Sequence, residues 1–496
     1  MKKGTILENI KVEKLVFGGK GFSRFKSENP DLDGKALFIS GGVIPGSIVN
    51  LKILKNRKDY IETQCMEVIK VSPIEKKHPN NIYGDQAGSK WVNIPYEEQL
   101  KIKATQVEES LFHIKTLQPN LKINDIIPSP LIDGYRNKIE FSFGKYISEK
   151  EHRQEHFNVG FHKQGEFSKV EDFDGTILID ELMNKIYKEI KDYSKSSGLP
   201  AYDQFNHQGF FRHILLRRAF FTNQVMIIFS INHKYLDVIP AEAGIYKKGD
   251  SFIDIELQKA TDFLISLTKK YSQIKSIYLS LNDNRSDTAI GELKLIYGEK
   301  FIEEKLLGIT FNISPKSFFQ TNSYGAEKLY SEVLNQIDKL EIKDFTVLDL
   351  YAGTGTIGMI FAKYAKKVIS VELISDASKD GEENAKKNDI NNMEFVCEKV
   401  EDFLKNYLNP GVENKTPGLA DLLIIDPPRA GMHPNALPNI LKFQTKNIIY
   451  VSCNPATLSR DLEFILKNST YKISSITPVD MFPHTPHIET VVKLEL

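Results

Sequence analysis

The chain has 496 residues, 41% apolar and 26% charged, with 65 basic and 65 acidic side chains, so its formal net charge is zero. That length calls for more than one hydrophobic core, and no apolar run approaches the roughly twenty residues a membrane span needs. Three cysteines give neither a disulfide framework nor a metal-ligand spacing, and the start does not read as a secretory signal, so a reducing cytoplasm is expected.

Charge is uneven along the chain. Residues 1–80 hold fifteen Lys or Arg against nine Asp or Glu, a balance of +6, which suits contact with a phosphate backbone. Within 1–71, short strands are predicted at 4–15, 35–38, 47–53 and 60–71, separated by glycine turns at Gly18, Gly19 and Gly21 and at Gly41 and Gly42. They fit a small barrel of the nucleic-acid-binding sort, an SH3-like barrel or a plain β cap. A polar linker follows at 72–89. The spacing then predicts a helix over 96–117, with Leu100, Ile102, Ala104, Val107, Leu111 and Ile114 on one side.

Residues 129–305 read as an α+β region, with strands at 138–143, 211–229 and 274–282 and helices at 180–194 and 254–271. Its exposed faces are expected to carry Arg136, Arg212, Arg217 and Arg218. From about residue 344 the pattern becomes strand, glycine turn, helix, strand, as in open α/β sheets. Strands are predicted at 346–351, 368–371, 422–425 and 447–451. The turn-rich insert 409–418 carries no chemical signal.

Chemistry gathers at these strand ends. VLDLYAGTGTIG holds Asp349, Gly353, Gly355 and Gly358, and Glu372 closes the next strand. A glycine turn lets backbone approach a ligand, and an acid at that place accepts hydrogen bonds from ribose hydroxyls. The same glycines also spell the dinucleotide fingerprint, so a nicotinamide site stays open. Asp349 suits the cationic amine of S-adenosylmethionine better than a pyrophosphate. Further on, IIDPPRAG places Asp426 at the same sheet edge, and YVSCNPATLSRDL places Cys453 there. A lone cysteine after an apolar strand is otherwise a small buried hydrophobe.

Taken in order, YRNKIEFSFG, SFFQTN, LDLYAGTGTIG, IDPPRAG, VSCNPATLSRDL and PVDMFPHTPHIETV resemble the RNA 5-methyluridine methyltransferases across most of the chain. The resemblance implies a multidomain α/β protein. It has a TRAM-like OB barrel at 1–71 and a central α+β RNA-binding domain at 72–310, whose helical segment 93–118 packs on the catalytic domain. A Rossmann-like S-adenosylmethionine-dependent methyltransferase domain covers 311–496. It implies Cys453 as nucleophile on uracil carbon 6, Glu489 as general base and Asp426 as the carboxylate beside the ring. S-adenosyl-L-methionine is the implied cofactor, with Gln320, Asp349, Tyr351, Gly353, Gly355, Glu372 and Asp426 at its pocket. Arg136, Lys138, Arg212, Phe318 (or Phe319) and Arg429 are implied RNA contacts. A monomer with no membrane partner is expected. The preferred substrate is 23S rRNA, with tRNA as the alternative and a catalytically silent RNA-binding or ribosome-assembly protein as a different class.

Many relatives hold an iron–sulfur cluster on four cysteines after the barrel. The corresponding stretch from His78 to Gln99 has none, so no cluster is expected, and packing by Trp91, Ile94 and Tyr96 is expected in its place.

Overall fold

The computed structural model describes residues 2–29, 33–81, 83, 88–148, 154–163, 166–234, 252–337, 344–408 and 420–496. The insert 409–418 lies outside them.

The N-terminal strands are β1 (Ile6–Lys11), β2 (Lys14–Leu15), β3 (Gly21–Arg24), β4 (Ala36–Ser40), β5 (Ile48–Asn56) and β6 (Tyr60–Lys70). They form one sheet in the order β1-β5-β6-β4-β3-β2. Its two edges are nearly one strand, since only Val12 and Glu13 separate β1 from β2. Val12 N donates to Ser47 O and Glu13 N to Phe22 O, both at 2.9 Å. The sheet therefore curls on itself, as an OB or TRAM-like unit does, around Val12, Leu37, Ile39, Val49, Leu51, Ile53 and Ile61.

The predicted helix 96–117 is two helices, α1 (Tyr96–Ser110) and α2 (Phe112–Leu117), meeting at Leu111. Its apolar stripe is buried only in part, at Val107, Leu111 and Ile114. On α1 the side chains inside are Gln99, Lys103, Gln106 and Val107. Burial of these polar groups is offset by partners far along the chain. Gln106 Nε2 donates to Leu15 O at 3.0 Å, and Lys103 Nζ meets Asp480 Oδ1 at 2.6 Å with both side chains sealed from solvent. The helix thus ties the N-terminal sheet to the C-terminal segment. Trp91 and Ile94 pack with Leu15 and Ile44, and Tyr96 Oη accepts from Ser129 N at 2.8 Å.

The middle region has β7 (Lys138–Ser148), β8 (Gln154–Lys163), β9 (Glu166–Asp172), α3 (Glu181–Ser196), β10 (Phe211–Ala219), β11 (Gln224–Ile231), α4 (Phe252–Lys270), β12 (Ile274–Leu281) and β13 (Glu292–Gly298). Its sheet runs β13-β12-β11-β10-β7-β8-β9. One face carries Ile139, Phe141, Ile214 and Phe229 into a core shared with Ile186 and Leu264 of the two helices.

Here the expectation of exposed arginines fails for Arg212, Arg217 and Arg218. Every residue of β10 is buried, because this strand is central and covered on both sides. Arg212 Nη1 donates to Asn282 O at 2.7 Å and Nη2 to Ser286 O at 2.7 Å, with the guanidinium 4.1 Å from the Tyr202 ring. It anchors a loop and is not offered to RNA. Arg218 pairs with Asp180 at 2.9 Å, and Arg217 donates to Ser317 O at 2.6 Å.

A hairpin, β14 (Ile302–Leu306) and β15 (Ile309–Ile313), leads to the C-terminal unit. This comprises α5 (Ser323–Asn335), β16 (Thr346–Leu350), α6 (Thr356–Ala362), β17 (Lys367–Glu372), α7 (Ser375–Lys387), β18 (Met393–Cys397), α8 (Val400–Tyr407), β19 (Leu422–Ile425), α9 (Ala436–Lys442), β20 (Asn447–Ser452), α10 (Pro455–Asn468), β21 (Lys472–Val479) and β22 (Glu489–Glu495). The sheet order is β18-β17-β16-β19-β20-β22-β21, with β16 to β20 parallel and β22 antiparallel to β20. Strand order reverses between β16 and β19, the switch point where such sheets bind ligands. Val107, Leu111 and Ile114 join the core on one side of this sheet, with Leu348, Leu423 and Leu458. Leu215, Met226 and Ile228 of the middle sheet join the core on the other. Among the described residues no helix is long and apolar enough to cross a membrane.

Candidate active site

A cavity of about 980 Å³ opens at this switch point. It is lined by Gln320, Asp349, Tyr351, Gly353, Glu372, Asp426, Arg429, Cys453 and Glu489, and also by Arg136 and Phe318. Gly355, Lys138 and Arg212 are not part of its wall.

At one end, β16 runs into Tyr351, whose φ of 60° is costly for a residue with a side chain. Gly355 then starts α6 at φ 69°, where an added Cβ would sit 2.7 Å from Phe395 Cε1. Gly353 differs: its φ is 57° and an added Cβ would meet nothing within 4 Å, because the position faces the cavity. Glu372 is held by the turn itself, its two oxygens accepting from Gly353 N at 2.9 Å and Ile374 N at 2.8 Å. Their remaining lone pairs are free for a diol. Asp349 is buried and accepts from Gly358 N at 3.1 Å and Ser370 Oγ at 3.3 Å. Burial first, and the charge of Asp426 second, push its carboxyl up to about 7. Hydrogen-bonded but with no cation beside it, an acid so placed favours a cationic ligand. These features fit a nucleoside joined to an ammonium-bearing chain.

The other end is assembled by β20 and β22. Their antiparallel register pairs Ser452 with Thr490. Carried on by one step, it sets Cys453 beside Glu489, although 36 residues separate them in sequence. Asn454 caps α10 by accepting from Ala456 N at 3.1 Å and donates from Nδ2 to Arg429 O at 2.9 Å, which locks the Asp426-Pro-Pro-Arg loop to the cysteine loop. Buried Asp461 holds that loop from below, accepting from Met432 N and Tyr450 Oη at 2.8 Å each.

Burial dominates the acid–base state here. It pushes the Cys453 thiol up to about 11, with Glu489 and Asp426 adding to the effect and Arg429 opposing it. Burial raises Glu489 well above the ordinary carboxylate range, reinforced by Asp426, and raises Asp426 to about 7. Phe318 is 66% exposed while Phe319 is buried in the core, so Phe318 is the ring available to a ligand.

Sequence reasoning missed what holds the segment before Glu489. Asp480 is gripped by Lys103, Pro483 O accepts from Tyr135 Oη at 2.9 Å, and His484 O accepts from Trp91 N at 3.0 Å. His78, Asp133 and His484 converge within 4.8 Å, a spacing open to a metal ion. Their hydrogen bonds describe a protein clamp instead. Asn80 N donates to His78 Nδ1, and Gln99 Nε2 faces His484 Nδ1 at 3.1 Å while Gln99 Oε1 accepts from His484 N. Both rings therefore turn an Nε2–H toward Asp133. The three cysteines of the chain lie apart, on β6, at the end of β18 and in the cavity, so no four-thiolate set exists.

Residues 284–496 match the family described as tRNA (Uracil-5-)-methyltransferase. Over its whole length the chain is 37% identical to an uncharacterized RNA methyltransferase of Clostridium tetani, spanning 98% of that relative. It is 34% identical over its whole length to one of Fusobacterium nucleatum, spanning 97% of it. Among solved structures it is similar to the Pyrococcus abyssi tRNA (uracil-54, C5)-methyltransferase in complex with S-adenosyl-L-homocysteine. That likeness has a TM-score of 0.70 and 25% identity and covers 98% of this chain and 100% of that one.

Proposed function

The chain belongs to the RNA uracil-C5 methyltransferases, and from that premise we propose that it methylates carbon 5 of a uridine in transfer RNA through Cys453. S-adenosyl-L-methionine is its cofactor; Glu372, Asp349 and the backbone at Gly353 would hold it, and it would supply an electrophilic methyl group, the broken sulfur–methyl bond leaving its electron pair on a neutral thioether.

Carbon 5 of uracil is too poor a nucleophile to take that methyl unaided. Cys453, its thiol proton lost to solvent, adds as the thiolate to carbon 6, and the electron pair of the ring double bond moves toward O4. Carbon 5 then accepts the methyl group. Glu489 removes the carbon 5 proton, the double bond re-forms, and the sulfur leaves carbon 6. Asp426, when ionised, accepts the ring N–H that uracil has and cytosine lacks. The single observation that carries this reading is the strand register that sets Glu489 beside Cys453 at the mouth of the cofactor pocket.

The choice of tRNA rests on the match of residues 284–496 and on the likeness, over nearly the whole chain, to an enzyme that acts on tRNA. The curled N-terminal sheet and the +6 charge of residues 1–80 suit a folded RNA of either kind, and 23S rRNA is the second reading. In either case residues 1–71 and 72–310 grip the folded RNA while the uridine is turned out of its stack, at a cost of a few kcal/mol. The test is mass-spectrometric mapping of 5-methyluridine in purified tRNA and rRNA from cells with and without the gene. Loss from tRNA is expected. Loss confined to rRNA overturns the substrate, and no loss in either overturns the function.

A further inference from the structure

Charge that builds up on O4 when sulfur adds to carbon 6 needs a donor, and Asp426, Glu489 and Cys453 do not supply one. Around the uracil ring the order is N3, carbon 4 with its O4, carbon 5, then carbon 6. Asp426 takes the N3–H, Glu489 serves carbon 5 and Cys453 serves carbon 6. A group standing next to both Asp426 and Glu489 therefore faces O4. The charge of Arg429 is felt at Cys453 and Glu489, on the side of carbons 6 and 5.

Tyr330 stands at the remaining place. It lies on the buried face of α5, is 4% exposed and lines the cavity. Helix α5 rests on β21 and β22, and β22 opens with Glu489; Tyr330 shares the core there with Val479, Met481 and Val491. The start of the helix is fixed, since Asn322 accepts from Gly325 N at 2.8 Å and donates to Met481 O at 2.9 Å. Burial first, then the charges of Asp426, Glu489 and Asp349, hold the phenol well above its ordinary range, so it keeps its proton. Only the Gln320 side chain works against them. A donated amide N–H has that effect, so the Tyr330 oxygen accepts from Gln320 and its own hydrogen is left to give. None of these acids takes that hydrogen; they act on it through charge alone. A protonated, water-shielded donor held on a fixed helix costs no reorganisation when negative charge develops in front of it.

We propose that the Tyr330 hydroxyl donates a hydrogen bond to uracil O4 and stabilises the enolate formed when Cys453 adds to carbon 6. This rests on the RNA-methyltransferase reading above. As the sulfur–carbon bond forms, the pair between carbons 5 and 6 moves between carbons 4 and 5, and the carbonyl pair moves onto O4. The hydroxyl meets that charge without giving up its proton. When carbon 5 uses the new pair to take the methyl group, the carbonyl re-forms and the charge leaves O4.

The test crosses a protein change with a substrate change. Full-length wild type and Tyr330→Phe act on a synthetic RNA around the mapped uridine, made with uridine or 4-thiouridine at that position. Sulfur accepts hydrogen bonds far more weakly than oxygen. With uridine, Tyr330→Phe lowers kcat by about 10²- to 10³-fold, the loss of one oxyanion donor. Its KM for RNA and its calorimetric affinity for S-adenosylmethionine stay at the wild-type level, because the bond tightens only as charge develops. Sulfur for oxygen slows wild type at least about tenfold more than it slows Tyr330→Phe, which has no bond at that atom to lose. Each ratio is taken within one protein, so a variant that folds only in part still reports it. Equal slowing of the two proteins by sulfur overturns the O4 contact. Full recovery of Tyr330→Phe at saturating cofactor overturns it as well, since the hydroxyl then serves the cofactor. In both cases an active wild type leaves the parent reading standing. If wild type methylates no RNA, the parent reading fails and the contact falls with it.

Discussion

The two ends of the cavity are built on opposite plans. At the cofactor end the acids are satisfied by the protein: Glu372 accepts two backbone N–H groups, and Asp349 accepts from Gly358 and Ser370. At the reaction end Asp426, Glu489 and Cys453 face the cavity, and burial, with mutual repulsion at Glu489 and Cys453, holds their proton affinities high. The first end is preorganised for a ligand that arrives complete. The second is completed by its substrate, whose ring N–H, carbon 6 and carbon 5 hydrogen supply what the protein leaves open. Rigidity suits binding, whereas unmet acid–base capacity suits a sequence of proton and bond transfers.

Substitutions at the two ends should therefore separate cleanly. Cys453→Ala is expected to abolish methyl transfer to RNA while calorimetric affinity for S-adenosylmethionine stays at the wild-type level; loss of both would mean the ends are one unit. Glu489→Gln is expected to slow turnover by about 10²- to 10⁴-fold. In that variant a covalent enzyme–RNA adduct should build up on denaturing gels, because addition precedes proton removal. Glu372→Gln is expected to weaken cofactor binding by about tenfold, the scale of a hydrogen bond to a charged group. At saturating cofactor its turnover should recover, and failure to recover would place Glu372 in the chemistry.

The smallest effects concern pH. Asp426 reads the ring N–H only when ionised, so kcat/KM for RNA should rise with pH through about 7. Stability should move the other way. The folded-state carboxyls of Asp426 and Asp349 lie near 7 against an ordinary 3.8, so between these values the folded protein holds more protons than the unfolded. The free enzyme should lose stability as pH rises across that window. Asp426→Asn should flatten the slope in melting curves and raise the melting temperature at pH 8; a steeper slope would contradict the assignment.

What was legible in the sequence follows the same division. Glycine turns and acids at strand ends are local signals, so Asp349, Glu372, Asp426 and Cys453 were found at the edge they occupy. The pairing of Cys453 with Glu489 depends on the register of β20 and β22, which no local pattern shows; only the family resemblance pointed to it. Arg212, Arg217 and Arg218 were misplaced because charged side chains are expected on a solvent face, whereas β10 is covered on both sides and buries its arginines on carbonyls and one carboxylate. The polar face of α1 was missed because its partners, Leu15, Asp480 and His484, lie up to 385 residues away. Burial patterns read from periodicity assume that apolar residues go inside, and long-range hydrogen bonds overrule that assumption.

The most direct test is a single mixing experiment: wild-type protein, S-adenosylmethionine and substrate RNA carrying 5-fluorouridine at the target position. Fluorine cannot leave as a proton does, so the account predicts a stable methylated adduct whose peptide mass maps to Cys453. Recovery of free methylated RNA with no adduct, or an adduct at any other residue, would contradict it.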